Sequence, residues 1–195
     1  LKAKARILPS LLLLLSLAPL PADSPQTAAV AGLALRAWLA SDTVRVSLRF
    51  ESRHSEEVLS ALREALKSQI TYQLRLYRRQ KVPWAFLGDR LVLARELTRT
   101  ASLDLIDSRF RVLDEGGQRE YADHEEFLED FFSVRNFPVA ALTATESADY
   151  YVLARGRLEP VRVVPPLDII RLVTRLTSFS SPWVRAPIEA QMPPP

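Results

Sequence analysis

Cysteine is absent from the 195 residues, so the chain has no disulfide framework, no thiolate metal site, no thiol nucleophile and no cysteine for lipid attachment. Glycine is scarce. The five present, Gly32, Gly88, Gly116, Gly117 and Gly156, are spaced so that they build no phosphate-cradling loop. No serine sits in a G-x-S-x-G nucleophile elbow. Histidine is limited to His54 and His124, and the positions one helical turn beyond His124 are Phe127 and Leu128, so the ligand spacing of a helical metal site is missing. A long uninterrupted apolar run is missing as well. The longest, residues 7–20, is broken by Pro9, Ser10, Ser16 and Pro19 and falls short of the ~18 to 20 apolar residues that cross a bilayer.

What the N-terminus does contain is Lys2, Lys4 and Arg6 followed by that short apolar run, which is the layout of a secretory signal peptide over residues 1–22 with cleavage near Ala22. The expected location is therefore the periplasm or envelope of a bacterium, or outright secretion, and an uncleaved anchor is the weaker reading. The charge balance changes accordingly. The whole chain carries 26 basic and 23 acidic residues, and the first 22 residues take away three basic and no acidic ones, leaving equal numbers. An exported chain of zero formal net charge has no global field to draw in nucleic acid, which is excluded as a partner.

Residues 23–31 are small and polar enough to serve as a spacer. Leu33, Leu35, Ala37 and Leu39 then alternate with Ala34, Arg36, Trp38 and Ala40, and Val44, Val46, Leu48 and Phe50 alternate with Thr43, Arg45, Ser47 and Arg49. With turn chemistry at Ser41 and Asp42, this period of two predicts a β-hairpin over 33–50. Ser55 is placed to cap a helix running to about Lys67, with Glu56 and Glu57 in its first turn and a stripe of Val58, Leu59, Leu62, Ala65 and Leu66. A strand follows with Ile70, Tyr72, Leu74 and Leu76 inward and Thr71, Gln73, Arg75, Tyr77 and Arg79 outward. Past a loop containing Lys81, Pro83 and Trp84, short strands are expected around 91–97, 103–105 and 110–113, with residues 114–117 turning into 119–121. Asp123 with Glu126 forms a capping box for a second helix whose apolar side is Phe127, Leu128, Phe131 and Phe132. A strand over 149–158, a helix-like run over 167–177, a last strand including Trp183 and Val184 and a disordered proline-rich tail at 189–195 complete the reading.

Candidate chemistry is thin. The acids Asp123, Glu125, Glu126, Glu129 and Asp130 lack the glycine and alternation of a calcium loop, and they suit the solvated side of an amphipathic helix. Asp104 and Asp107 have no spacing that places them across a cleft. Both histidines sit at helix starts, where solvated imidazoles are ordinary. Arg75, Arg78, Arg79 and Lys81 form the densest basic cluster, suited to an anionic lipid or an acidic partner, or simply to a solvated strand face.

Taken together, the strand TVRVSLRF, the helix SEEVLSALREAL, the strand ITYQLRLYRR, the later strand YYVLARGRLE and the apolar segment ending at Trp183 resemble an uncharacterised family of bacterial exported proteins, domain of unknown function 4390, over about 33–188. That family often ends its first helix with glycine, an apolar residue and proline, where this chain has Ala65, Leu66 and Lys67. Its usual arginine in the later strand falls on Leu153. The resemblance implies an envelope accessory protein, since members are often encoded beside a membrane sensor kinase of the nitrogen-regulation type, and it carries over no catalytic residues.

The expectation is thus one exported α+β domain over 32–188, with a mainly antiparallel β-sheet or sandwich under two or three covering helices. It would be a non-enzymatic binding or interaction module without metal or cofactor, with Arg45, Arg49, Arg75 and Arg79 as its interaction face. A membrane sensor kinase, another envelope protein, or anionic or apolar lipid are the candidate partners. The alternative is a carrier that holds a lipid in an apolar cavity lined by Leu62, Tyr72, Leu74 and Phe131. An envelope hydrolase using carboxylates ranks last.

Overall fold

The computed structural model describes residues 28–30, 32–142, 149–161 and 178–190. The expected signal segment, most of the spacer, the helix-like run at 167–177 and the last five residues lie outside the described residues.

Alternation builds the strands where it is cleanest. Strands β1 (Ala28–Val30), β2 (Leu33–Ala40) and β3 (Thr43–Phe50) open the fold, and β1, drawn from the expected spacer, pairs with β2. Ser41 and Asp42 both adopt positive φ, as a tight two-residue hairpin turn between β2 and β3 requires. Helix α1 (Ser55–Arg63) leads to β4 (Lys67–Arg78), whose Ile70, Tyr72, Leu74 and Leu76 are all buried on the expected face. The long β5 (Arg90–Asp104), β6 (Arg109–Asp114) and β7 (Gly117–Tyr121) form a meander, then come α2 (His124–Phe132), β8 (Ser133–Ala141), β9 (Tyr150–Val161), β10 (Phe179–Ser180) and β11 (Val184–Glu189).

The class α+β holds, but the expectation of an antiparallel sheet or sandwich needs correction. The strands make one curled, mixed sheet, a half-barrel in the order β7-β6-β5-β4-β9-β11-β2-β3-β8. The mixed character comes from β11, which runs antiparallel to β9 through residues 184–187 and parallel to β2 through Ile188 and Glu189. The curl has a simple cause. Strands β7 and β8 are the two ends of this path, yet only α2 and two preceding residues connect them. A nine-residue helix is about 14 Å long, whereas nine flat strands would hold their edges about 38 Å apart. The sheet therefore has to roll until α2 bridges its mouth.

The inner face is filled by side chains from every long strand, with Val58, Leu59 and Leu62 of α1 and Phe127, Phe131 and Phe132 of α2. A run of ring contacts crosses the mouth, from Phe110 to Phe127 (4.7 Å between centroids), Phe127 to Phe131 (5.7 Å), Phe131 to Phe132 (5.4 Å) and Phe132 to Phe50 (6.3 Å). The Tyr72 hydroxyl donates to the Phe132 carbonyl at 3.0 Å, so this buried phenol on the inner face of β4 is satisfied.

Two local expectations also change. Helix α1 stops at Arg63, not Lys67, because Ala65 turns into the left-handed region at φ 59°. Its amide and that of Leu66 then bond back to the carbonyls of Leu62 (3.1 Å) and Ala61 (3.0 Å), which is a Schellman closure. The segments expected as separate strands near 91–97 and 103–105 are one strand, β5, held by β4 along its first part and by β6 along its last.

An alanine in the left-handed region costs about 1–2 kcal/mol relative to glycine there, partly offset by the extra freedom glycine has when unfolded. Ala65→Gly should therefore stabilise the protein by about 0.5–1 kcal/mol, read as a higher urea midpoint at unchanged slope. Gly156 of β9 is the opposite case, since an added Cβ would lie 2.7 and 2.8 Å from Phe50 Cδ2 and Cε2. Gly156→Ala should destabilise by about 1–3 kcal/mol in the same titration, because the buried Phe50 ring has to give way.

Candidate functional site

Along β5 the inward positions read Leu97, Arg99, Ala101, so an arginine stands where the alternation calls for an apolar side chain. Arg99 is 2% exposed. Its Nε donates to Asp114 Oδ2 at 3.1 Å and its Nη2 to Asp130 Oδ2 at 2.8 Å. Its Nη1 reaches the carbonyls of Asp130, Phe131 (3.4 Å) and Ser133. Those carbonyls lie at the C-terminal end of α2, where helix geometry leaves acceptors without partners and the dipole favours a cation. A buried charge is expensive, and here two carboxylates and three carbonyls offset that cost. Arg119 adds a second cation, paired with Asp114 and, at 3.3 Å, with Asp130.

Around this node opens a polar cleft of about 660 Å³, lined among others by Arg99, Asp114, Arg119, Tyr121, Asp130 and Arg135. Burial pushes the Tyr72 phenol well above its ordinary range. Tyr121 is raised as well, by desolvation first and then by its hydrogen bond to Asp130. Neither phenol is poised as a base. Three of the five acids singled out around α2 are engaged structurally: Asp130 holds Arg99, Glu129 pairs with Arg135, and Asp123 accepts from the Glu126 amide at 3.1 Å as the helix cap. Asp104 accepts from the amides of Ile106 (2.9 Å) and Asp107 (3.3 Å), and these bonds hold its carboxyl below the usual range. It closes the β5–β6 turn. His54 stacks on Phe179 with centroids 3.5 Å apart, and His124 lies exposed beside Asp123. Among the described residues no three His, Cys, Asp or Glu side chains gather as a metal site, and no helix is long and apolar enough to cross a membrane.

The arginines expected to share one face are divided. Arg45 and Arg49 lie on the outer side of β3, Arg45 donating to the Asn136 carbonyl at 3.2 Å. Arg75 lies on the outer side of β4, its guanidinium 4.5 Å from the Trp183 ring centroid. Strands β9, β11 and β2 separate β4 from β3, a path of about 19 Å at one strand spacing per step. Arg79 follows β4 and belongs to a different feature, the β4–β5 loop.

Among the described residues, that loop holds most of the exposed large apolar side chains. Every residue from 81 to 92 is exposed. Six of them are large and apolar: Val82, Trp84, Phe86, Leu87, Leu91 and Val92, with Val82 at 87%, Trp84 at 58% and Phe86 at 76%. Trp84–Leu87 make a 3₁₀ turn that ends at Gly88, φ 77°. The base of the loop is tied down. Asp89 accepts from the Tyr151 hydroxyl at 2.8 Å and from the Gln80 amide at 3.2 Å, Lys81 pairs with Asp149 at 2.7 Å, and the Arg79 amide donates to the Asp149 carbonyl at 2.7 Å. The bond from Tyr151, foremost, holds the Asp89 carboxyl below its usual value. A depressed carboxyl contributes fully above its unfolded value and loses that contribution as pH falls through the folded one, so this tie persists at neutral pH and is lost only in acid.

The geometry defines a class: an α+β half-barrel with a filled interior, a buried arginine node at its mouth and an exposed apolar hairpin tip. Within that class, residues 32–187 match the family model for a domain of unknown function, DUF4390, and the chain belongs to that family. No curated protein and no solved structure matches it.

The sequence reading missed both the node and the apolar loop. The alternation near 91–97 assigned Arg99 no role, although it shares its odd numbering with Leu97 and Leu103, which was the available signal. Removing one partner of a buried charge network strands the rest, at about 3–5 kcal/mol. Arg99→Met should lower stability by that amount in urea titration. Arg99→Lys should recover only part, because an ammonium cannot span the same fork of acceptors.

Proposed function

We propose that the protein is a non-enzymatic interaction module of the bacterial envelope, reaching it by the export signal expected at residues 1–22. The observation that carries this reading is the filled half-barrel. Leu62, Tyr72, Leu74 and Phe131, the side chains expected to line a carrier's cavity, are each no more than 1% exposed and belong to one continuous core. That packing favours a domain working through its outer surface over one that encloses a ligand. The charged groups nearest a cleft, Arg99, Asp114 and Asp130, hold one another, which suits a structural role better than acid–base work. The partner class that fits the family's expected setting is an envelope protein such as the outer domain of a membrane sensor kinase.

Native mass spectrometry of the protein purified from its own envelope tests this. The expected result is the mass of the chain without a stoichiometric ligand, together with a co-purifying envelope protein. A lipid retained at one per chain, and still retained after changes at the protein surface, would overturn the reading in favour of a carrier.

A further inference from the structure

We propose that the β4–β5 hairpin tip docks onto an anionic bilayer surface, with Trp84, Phe86 and Leu87 entering the interface and Arg78, Arg79, Lys81 and Arg90 lying among the headgroups. The inference builds on the envelope-module reading and names a surface for it.

Three observations converge on it. Within the exposed residues 81–92 the large apolar side chains Val82, Trp84, Phe86 and Leu87 are gathered at the apex, which carries an amphipathic tryptophan with a phenylalanine two residues on. Residues of that kind sit at the boundary between headgroups and acyl chains. In the tight 3₁₀ turn, side chains three apart eclipse, so Trp84 and Leu87 project to the same side. The cations lie at the base, where β4 ends and β5 begins. Between residues 78 and 92 there are four of them against one acid, Asp89, which is occupied by Tyr151 and Gln80. Lys81 is offset by Asp149, and Arg78 lies 5.7 Å over the Tyr150 ring.

The third observation concerns placement. Arg78 and Arg90 face each other directly across the last rung of the hairpin. Like charges in that position repel and cost stability, and a phosphate or other anionic headgroup between them would relieve the repulsion. An apolar apex above a cationic collar follows the layering of a bilayer leaflet, with acyl chains inside and anionic headgroups outside. The bonds that Asp89 and Asp149 accept hold the base fixed, so docking needs little further ordering.

The test is co-sedimentation of the full chain with vesicles of phosphatidylcholine, with and without phosphatidylglycerol. The N-terminal apolar run is common to all variants and cancels in the comparison. Binding should require phosphatidylglycerol and weaken with added salt. Trp84→Ser with Phe86→Ser should lower it about tenfold or more. Arg79→Glu with Arg90→Glu should lower it at least about twentyfold, at roughly fivefold for each cation removed. Trp84→Phe should keep the binding while losing the blue shift in tryptophan emission that vesicles induce. All of these substitutions are on exposed residues, so the folded half-barrel should persist, with the urea midpoint as the check.

Equal binding to neutral vesicles, no binding to anionic ones, or binding indifferent to both double variants would overturn the proposal. Loss of a co-purifying envelope protein in the tip variants, without vesicle binding by the parent chain, would overturn it too, and would assign the tip to a protein partner while the module reading stands. A core-bound lipid alongside tip-dependent vesicle binding would sink the module reading and leave the docking inference intact.

Discussion

A single buried guanidinium decides where the curled sheet closes. Arg99 reaches from the inner face of β5 to Asp114 at the end of β6, to Asp130 on α2 and to the carbonyls that finish that helix and open β8. Those groups come from both ends of the strand path, which only curling can bring together. Apolar burial alone would hold α2 over the mouth without fixing its angle, because hydrophobic contact is nondirectional. The planar fork of arginine, matched to acceptors on several elements, supplies direction. The aromatic run from Phe110 to Phe50 then fills the remaining space.

The second constraint is the strand that joins the halves. Without β11, β1, β2, β3 and β8 would form one sheet, and β4 to β7 with β9 and β10 another. Six residues near the C-terminus join them by pairing antiparallel on one side and parallel on the other. Val184, Ala186 and Ile188 face the common core while Arg185 and Pro187 face out, so the strand contributes to the interior and the seam at once. Its Arg185 guanidinium lies 3.7 Å over the Tyr151 ring, and that ring stacks in turn on Tyr77 at 5.5 Å.

What was legible in the sequence was whatever depends on neighbours along the chain. The alternation in 33–50 and 70–76, the helix cap at Asp123 and the turn at 114–117 are local patterns, and each element formed, although Trp38, read with the outward set of β2, is buried and Leu39 of the inward set is only half-buried. What was not legible depends on residues far apart. The parallel pairing of Ile188 with Ala37 joins positions with no sequence signal linking them. The helix end at Arg63 rests on alanine taking a conformation that glycine usually takes, so the usual stop signal was absent. The candidate interaction face illustrates the same limit: Arg45, Arg49, Arg75 and Arg79 are outward, as alternation says, but alternation along a strand says nothing of strand order, and three strands divide them. The segment containing Lys81, Pro83 and Trp84 read as an ordinary loop because the length of the β4–β5 hairpin, and with it the exposure of Trp84 and Phe86, follows only from pairing across the sheet.

The fold divides the labour between a fixed frame and one exposed extremity. Its interior is closed by complementary charges and stacked rings, and the buried Arg99 and Tyr72 side chains are satisfied by partners on other elements. Among the described residues the longest exposed apolar stretch is one hairpin, whose apex is apolar and whose base is pinned by Asp89, Tyr151 and Asp149, while Leu105, Ile106 and Leu113 are exposed at and beside the β5–β6 turn. Scattered exposed apolar side chains need no explanation, whereas a continuous exposed stretch with cations at its base does. The Arg99 network and the tip lie on the same strand, β5, at Arg99 and at Arg90 to Val92. Anchoring one end of that strand in the closed mouth makes its other end a rigid arm, and a rigid arm with an apolar apex is suited to meeting a surface without prior rearrangement.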